Sequence, residues 1–149
     1  MSKKEPRLVR AIVDYEGIGF RASTWKAHSS LISEVAQNGR EAVIGKGVTI
    51  RGDGVAGFAE ASTGAPLLGR VHQYEFGLYG DPNEAYITVQ DGGYASFPTV
   101  SGSGAPSAGD FVAVNHEGNI RTVSDGEPAT GARCVISDTG DGNCMVLIG

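Results

Sequence analysis

The chain has 149 residues, a formal net charge of −5 and 23 glycines. This length suits one domain with a substantial core. No apolar stretch reaches the roughly 18 residues that a membrane span needs. The charged start MSKKEPRLVR also lacks the apolar centre of a signal peptide. We therefore expect a protein that is made and kept in the cytoplasm and has no membrane partner.

Charge is spread unevenly along the chain. Residues 1–46 hold eight basic and five acidic side chains, a net charge of +3. Residues 47–149 hold four basic and twelve acidic side chains, a net charge of −8. This asymmetry fits a basic start that contacts an acidic surface, such as a neighbouring copy, and it equally fits ordinary solubility charge. The acidic body argues against a nucleic-acid partner, because phosphate contact needs a basic footprint.

Residues 1–38 are predicted to form an N-terminal arm. The extended apolar run LVRAIVDY comes first, and STWKAHSSLISEVAQNG follows it. Ser23 or Thr24 could cap a short helix there, with Gly39 as its stop. The alternative is an extended arm that orders only against partners.

Residues 39–149 are predicted to form an all-β domain, because glycine-rich turns separate short strands throughout. Hairpins are expected around Asp91-Gly92-Gly93, around residues 115–119 and around residues 138–143. The first two resemble each other, as a weak internal repeat or as two ordinary hairpins of a barrel. The predicted fold class is a small β-barrel or β-sandwich (tulip-like) domain that carries the N-terminal arm.

The two cysteines, Cys134 and Cys144, flank the last of these turns. Two cysteines are too few for a disulfide scaffold, and we expect both to be reduced and buried. A turn centred on Thr139 and Gly140 would pair residue 135 with 144. That register places the two cysteines on opposite faces of the hairpin.

Four short motifs suggest chemistry, and each has a simpler explanation. GIGFRA (17–22) fits a dinucleotide fingerprint, but no crossover helix follows in the rest of the chain. GAPSAGD (104–110) has phosphate-loop spacing with Asp110 in place of the lysine. DTGDGN (138–143) offers the oxygen ligands of a calcium site without the spacing of a calcium loop, and RGD (51–53) is a cell-adhesion motif. Both are explained more simply as turns. We therefore predict no cofactor, no metal and no small-molecule substrate.

A catalytic pair of Asp110 and His116 is the enzyme alternative. Asp110 begins the strand FVAV and His116 lies in the turn after it. At ~3.3 Å per residue the two are roughly 20 Å apart, which is too far for a dyad within one hairpin. The sequence therefore predicts no catalytic residues.

Four segments resemble the capsid decoration, or head cement, proteins of tailed phages: LLGRV (67–71), SAGDFVAVNHEGNI (107–120), EPATGARCV (127–135) and CMVLIG (144–149). The resemblance covers roughly residues 40–149. The residues that occupy the family's motif positions are Ala108, Gly109, Asp110, Val112, Val114, Gly118, Gly131 and Ala132.

The resemblance implies a structural virion protein. Such a protein assembles, commonly as a homotrimer, on the outside of an expanded icosahedral head and braces neighbouring subunits of the major capsid protein. It would be made in the host cytoplasm and end on the capsid surface. No catalytic residues come with the resemblance.

The arm is then predicted to lie across adjacent subunits. Its interface residues would be apolar anchors and basic partners, namely Leu8, Val9, Ile12, Val13, Tyr15, Phe20, Trp25, Arg7 and Arg10. On this hypothesis, a chain without residues 1–38 folds but no longer binds heads.

A carbohydrate-binding β-sandwich on a virion or cell surface is the alternative function. It would need exposed aromatic side chains on one flat face. The candidates are Tyr74, Phe76, Tyr79, Tyr86 and Tyr94.

Overall fold

A computed structural model describes residues 18–60, 64–77, 83–123, 131–139 and 142–149. The described part contains one α-helix, α1 (Ser29–Asn38), and short 3-10 turns at Arg40–Ala42 and Gly102–Gly104. Its strands are β1 (Arg21–Ala27), β2 (Gly47–Gly52), β3 (Val55–Gly57), β4 (Ala65–Pro66), β5 (Gly69–Phe76), β6 (Ala85–Gly92), β7 (Tyr94–Pro98), β8 (Val112–Val114), β9 (Ile120–Thr122), β10 (Arg133–Ile136) and β11 (Asn143–Leu147).

Five strands close into a barrel in the order β1-β3-β2-β5-β6. β1 is parallel to β3 and antiparallel to β6. Helix α1 adds Leu31 and Val35 to the apolar core that Val48, Val71 and Val89 form inside the barrel. The predicted small β-barrel is confirmed.

A second apolar core lies between two three-stranded sheets, β10-β11-β7 and β4-β8-β9. Phe97 and Val146 come from the first sheet, and Val112, Val114 and Ile120 come from the second. All five side chains are fully buried. The described chain thus combines a barrel with a small sandwich, as expected for an all-β fold.

The hairpin predicted around Asp91-Gly92-Gly93 is wrong. β6 already pairs with β1 on one edge and with β5 on the other, so no edge is left for β7. The chain instead crosses at Gly93 into the second sheet, where β7 pairs with β11. Gly93 has φ +84°, and a Cβ there would overlap the carbonyl oxygen of Ile18. The suggested repeat of two hairpins is therefore not present.

The boundary predicted between residues 38 and 39 is also wrong for the described part of the arm. Residues 21–27 form β1, a strand of the closed barrel, and the helix buries its apolar face in the barrel core. Trp25 is half-buried against that core, and its indole Nε1 donates to the Ser23 hydroxyl over 2.7 Å. Residues 1–17 lie outside the described residues.

The predicted helix is present but begins later than expected. His28, rather than Ser23 or Thr24, is its N-cap: the Nδ1 atom of His28 accepts a 3.0 Å hydrogen bond from the Ser30 backbone N–H. The helix ends at Gly39, as predicted, with φ +85° and its N–H bonded to the Val35 carbonyl. The residues before His28 extend because they pair with β3 and β6.

We predict that the two possible truncations behave differently. Removal of residues 1–38 deletes β1 and α1 and opens the barrel, so that variant should not unfold cooperatively in urea. Removal of residues 1–17 leaves every described strand pair in place and should preserve a cooperative transition. Circular dichroism during urea titration measures both. Cooperative unfolding of the chain without residues 1–38 would contradict the barrel assignment.

Candidate functional site

The side chain of Asp110 stabilises a turn and is not part of a catalytic pair. Its Oδ2 atom accepts hydrogen bonds from the Ser107 N–H (2.9 Å) and from the Thr122 hydroxyl (3.4 Å). Its carbonyl accepts from the Cys134 N–H over 2.9 Å. These contacts fix the corner through which the chain enters β8.

The hairpin predicted around residues 115–119 is confirmed. β8 and β9 pair antiparallel, and the Oδ1 atom of Asn115 accepts from the N–H groups of Glu117 (2.9 Å) and Asn119 (3.0 Å). His116 is exposed in this turn, at the opposite end of β8 from Asp110. The structure does not bring the two proposed catalytic side chains together.

Two of the segments that carry the family resemblance lie side by side in the described chain. The N–H of Gly109 donates to the Cys134 carbonyl (2.7 Å), and the N–H of Val112 donates to the Ala132 carbonyl (3.2 Å). Residues 108–114 therefore lie beside residues 132–135. Gly118, another motif residue, closes the β8–β9 turn with φ +78°.

The sheet β10-β11-β7 presents an apolar surface, which we call the outer face and define by Phe111, Arg133, Val135 and Leu147. Phe111 is bridged to Arg133, and Arg133 is paired with Leu147, so these side chains point the same way. Their exposed fractions are 43% for Phe111, 41% for Val135 and 37% for Leu147. The Arg133 guanidinium lies 4.4 Å from the centre of the Phe111 ring. Exposed apolar side chains grouped in this way are typical of a protein interaction surface.

The predicted register of the last hairpin is wrong. Cys134 pairs with Val146, and an irregularity follows between Cys134 and Ile136. This shift of one residue places Cys134 and Cys144 on the same face, inside the second core, where both are unbridged and buried as expected. A hydrogen bond between the two thiols and their burial raise the pKa of the Cys144 thiol, and the same hydrogen bond lowers the pKa of Cys134.

An open cleft of about 650 Å³ lies between α1 and the β8–β9 turn. Its charged lining residues are Glu34, Glu41, Lys46 and Glu117, and His116 lines it as well. Lys46 donates to the Asn119 side-chain oxygen over 3.2 Å, so it serves the turn. Sequence analysis did not identify this cleft, because its walls come from segments about 80 residues apart.

A second groove, of about 510 Å³, lies where the barrel meets the sandwich. We call it the junction groove. Its apolar walls are formed by Ile50, Pro66, Leu67, Leu68 and Ile148. Arg21 and Asp91, which form a 3.1 Å ion pair, lie at its side. No sequence motif marks this groove.

Most of the predicted interface residues lie outside the described residues: Arg7, Leu8, Val9, Arg10, Ile12, Val13 and Tyr15. Phe20 is described and exposed, with its ring 5.3 Å from that of His72. Trp25, by contrast, belongs to the barrel.

The aromatic residues proposed for carbohydrate binding do not share one face. Tyr74 is buried in the barrel core, whereas Phe76 and Tyr86 are exposed on the barrel. Tyr94 lies in β7 of the β10-β11-β7 sheet, and Tyr79 is outside the described residues.

Within the described ranges, no group of three His, Cys, Asp or Glu side chains is placed to hold a metal ion. The described part of GIGFRA leads into strand β1 rather than a helix. RGD lies at the β2–β3 turn, as predicted, and residues 140–141 of DTGDGN are outside the described chain. In the same ranges no helix has the length and apolar character to cross a membrane.

Comparison of the chain with protein-family models, with curated proteins and with solved structures finds no match in any of the three.

We predict that protonation of His28 weakens the helix cap. Burial, and then the positive charge of Arg51, lower the pKa of His28 below its ordinary value of 6.5. The unfolded chain therefore binds the proton more readily, and stability from this group is lost as the pH falls from above 6.5 towards the folded pKa. Asn at this position caps helices without titrating. The stability advantage of the wild type over His28→Asn, measured by urea unfolding, should shrink between pH 8 and pH 5.5.

His28→Ala removes the cap itself and is the matched variant. It should lower the free energy of unfolding by about 1 kcal/mol at pH 8. The difference in unfolding free energy between the wild type and His28→Asn should therefore depend on pH. If it does not change with pH, an unprotonated Nδ1 is not part of the cap.

Both thiols should be protected in the folded protein. Cys134 and Cys144 are fully buried, so an aromatic disulfide reagent should label neither on the timescale on which it labels free cysteine. In 6 M guanidinium it should label both, as about two thiols per chain. Fast labelling of one thiol in the native protein would contradict the β10–β11 register that buries both cysteines.

Proposed function

We propose that the protein is a capsid decoration protein that binds the outside of an expanded phage head and braces neighbouring subunits of the major capsid protein. The observation that carries the proposal is the outer face. It offers exposed Val135 and Leu147 on the β10-β11-β7 sheet, with exposed Phe111 bridged to its margin, and the other side of that sheet packs in the second core. A structural protein that binds another protein surface needs such a face and needs no catalytic group.

The position of the outer face supports the proposal. Phe111 directly follows Asp110 of the resemblance motif, and Val135 closes the second motif segment. Hydrogen bonds join these two segments through Gly109, Val112 and Cys134. The segment around Asp110 thus brings Phe111 to the margin of the β10-β11-β7 sheet, and the segment that ends at Val135 forms β10 of that sheet.

The chemistry of the outer face suits an interface. Phe111 contributes an aromatic surface, and the Arg133 guanidinium stacked on it can donate hydrogen bonds to a partner. Burial of one apolar side chain is worth roughly 1.5–3 kcal/mol. Because many copies bind one head, a small free energy per copy accumulates over the shell. A homotrimer remains part of this proposal.

Cosedimentation with expanded and unexpanded heads of the encoding phage tests the function. Wild-type chain should bind expanded heads and leave unexpanded heads bare. Val135→Asp buries an unpaired carboxylate in the contact, so its affinity should fall at least about tenfold. Phe76→Asp is the matched control, because Phe76 is a similarly exposed residue at the end of β5 in the barrel, and it should bind like the wild type.

Two further measurements complete the test. Sedimentation equilibrium of the free chain gives the oligomeric state, which we expect to be a trimer. The chain without residues 1–17 tests the predicted arm anchors, and we expect it to bind heads more weakly. Wild-type chain that binds neither kind of head would refute the function, and equal binding by Val135→Asp would refute the role of the outer face.

A further inference from the structure

We propose that Cys134 and Cys144 are a reversible redox pair, which a small-molecule disulfide oxidises to an intrachain disulfide that joins β10 to β11. The inference concerns a modification of the second core and does not depend on capsid binding. It follows from the strand register, from the contact between the two thiols and from the position of β10 at the edge of its sheet.

The strand register places the two cysteines side by side. Cys134 lies opposite Val146, and Cys144 is two residues from Val146 on the same strand. Side chains alternate along a strand, so Cys144 and Val146 point to the same side, into the second core with Cys134. The two cysteines are therefore diagonal neighbours across β10 and β11. Both are free thiols, and a hydrogen bond joins them.

A small movement separates the two thiols from a disulfide. Diagonal residues of an antiparallel pair have Cα atoms about 7–8 Å apart, whereas disulfides usually span about 4.4–6.8 Å. The two strands must therefore approach each other by about 1 Å before the bond can form. A bond made in this way is strained and is easily reduced again, which makes the pair reversible.

β10 is placed to make this movement. It is an edge strand of the sheet β10-β11-β7, and on its other side backbone hydrogen bonds join Cys134 to Gly109 and Asp110. The irregularity between Cys134 and Ile136 lets the strand bend at that point. Segments with few partners open locally at a lower free energy than the rest of a fold. Opening of β10 therefore admits a small oxidant to the buried thiols.

The hydrogen bond between the thiols assigns their roles. It lowers the pKa of Cys134 and, together with burial, raises the pKa of Cys144, so Cys134 is the attacking group. The Cys134 thiolate attacks one sulfur of the small-molecule disulfide, forms a mixed disulfide and releases the first small thiolate. Cys144 then gives up its proton to solvent and attacks the Sγ atom of Cys134, and the second small thiolate leaves. The protein loses two electrons and two protons, and the oxidant is reduced to two thiols.

The bond would link the two strands that carry most of the outer face. Arg133 and Val135 lie in β10, and Leu147 lies in β11. In the oxidised chain β10 can no longer separate from β11, so these exposed side chains keep their relative positions. The chain is expected in the thiol form inside a reducing compartment and in the disulfide form outside it.

Slow oxidation of the folded chain tests the proposal. The reduced full chain is incubated overnight in buffer with hydroxyethyl disulfide, a small neutral oxidant, and its thiols are then counted in guanidinium. They should fall at least about tenfold from the two that each chain contains, and dithiothreitol should restore them. Because opening of β10 precedes the reaction, this oxidation is much slower than the labelling of free cysteine.

Mass spectrometry locates the bond. Trypsin cleaves after Arg133, and residues 134–149 contain no further Lys or Arg, so both cysteines fall in one peptide. That peptide should be lighter by two hydrogen atoms after oxidation, and a non-reducing gel should show no covalent dimer. In hydrogen exchange, residues 134–136 of the oxidised chain should exchange at least about tenfold more slowly than those of the reduced chain.

Two single variants test the order of the steps. Cys144→Ala removes the second thiol, so Cys134 should keep the small thiol as a mixed disulfide. Cys134→Ala removes the attacking thiol, and Cys144 should then be modified at least about tenfold more slowly than Cys134 is in the first variant. Urea titration checks that both variants fold, and the wild-type result decides by itself if one of them does not.

Thiols that stay titratable after the overnight incubation would overturn the proposal. So would stable mixed disulfides on both cysteines of the wild type, or a covalent dimer, because each shows that the two sulfur atoms do not meet. A bond that forms only in guanidinium would also contradict it, since the native strands would then hold the thiols too far apart. Equal rates of modification in the two variants would refute the role of Cys134 as the attacking group.

Discussion

Strand β6 has a hydrogen-bonded neighbour along both edges, and much of the fold follows from this constraint. The strand that comes next cannot return along β6, so the chain leaves the barrel at Gly93 and joins another sheet. The buried Gln90 side chain supports this exit, since its Nε2 atom donates to the carbonyls of Gly92 (3.2 Å) and Tyr94 (3.1 Å). A buried amide that bonds both sides of a crossing fixes its direction, because an unmet polar group there would be costly. The domain therefore has two apolar cores, and Gly93 is one of the points at which the chain passes between them.

The same crossing determines which side chains face solvent. Because β7 pairs with β11 with Tyr94 opposite Leu147, Phe97 and Val146 turn inward and Leu147 turns outward. A shift of one residue would exchange these faces. The register is held by the core, since exposure of Phe97 in place of Leu147 would lose the burial of a large aromatic side chain. The apolar outer face is thus a consequence of how the chain passes from the barrel into the sandwich.

Local patterns in the sequence predicted what depends on neighbouring residues. The turn at residues 115–119 was predictable because Asn115 and Gly118 act within their own hairpin. The role of β1 was not predictable, because its partner β3 is parallel to it and lies almost thirty residues further along the chain. The Asp91-Gly92-Gly93 signal failed for a related reason: glycines permit a hairpin, but strands from elsewhere occupy both edges of β6. The cysteine register failed because a single irregularity in β10 reverses the faces.

The polar residues that suggested chemistry were identifiable from sequence, and the interaction surfaces were not. Asp110 and Asn115 carry side chains that suit both catalysis and turns, and only their hydrogen bonds show that they serve turns. Phe111 is the opposite case. It begins the apolar strand FVAV, whose next members, Val112 and Val114, are buried. The sequence leaves open whether Phe111 is buried with them or lies at a contact between subunits. Its exposure follows from its bridge to Arg133 at the margin of the β10-β11-β7 sheet. A surface of this kind is created by tertiary pairing, and for that reason a binding function can leave little trace in a single sequence.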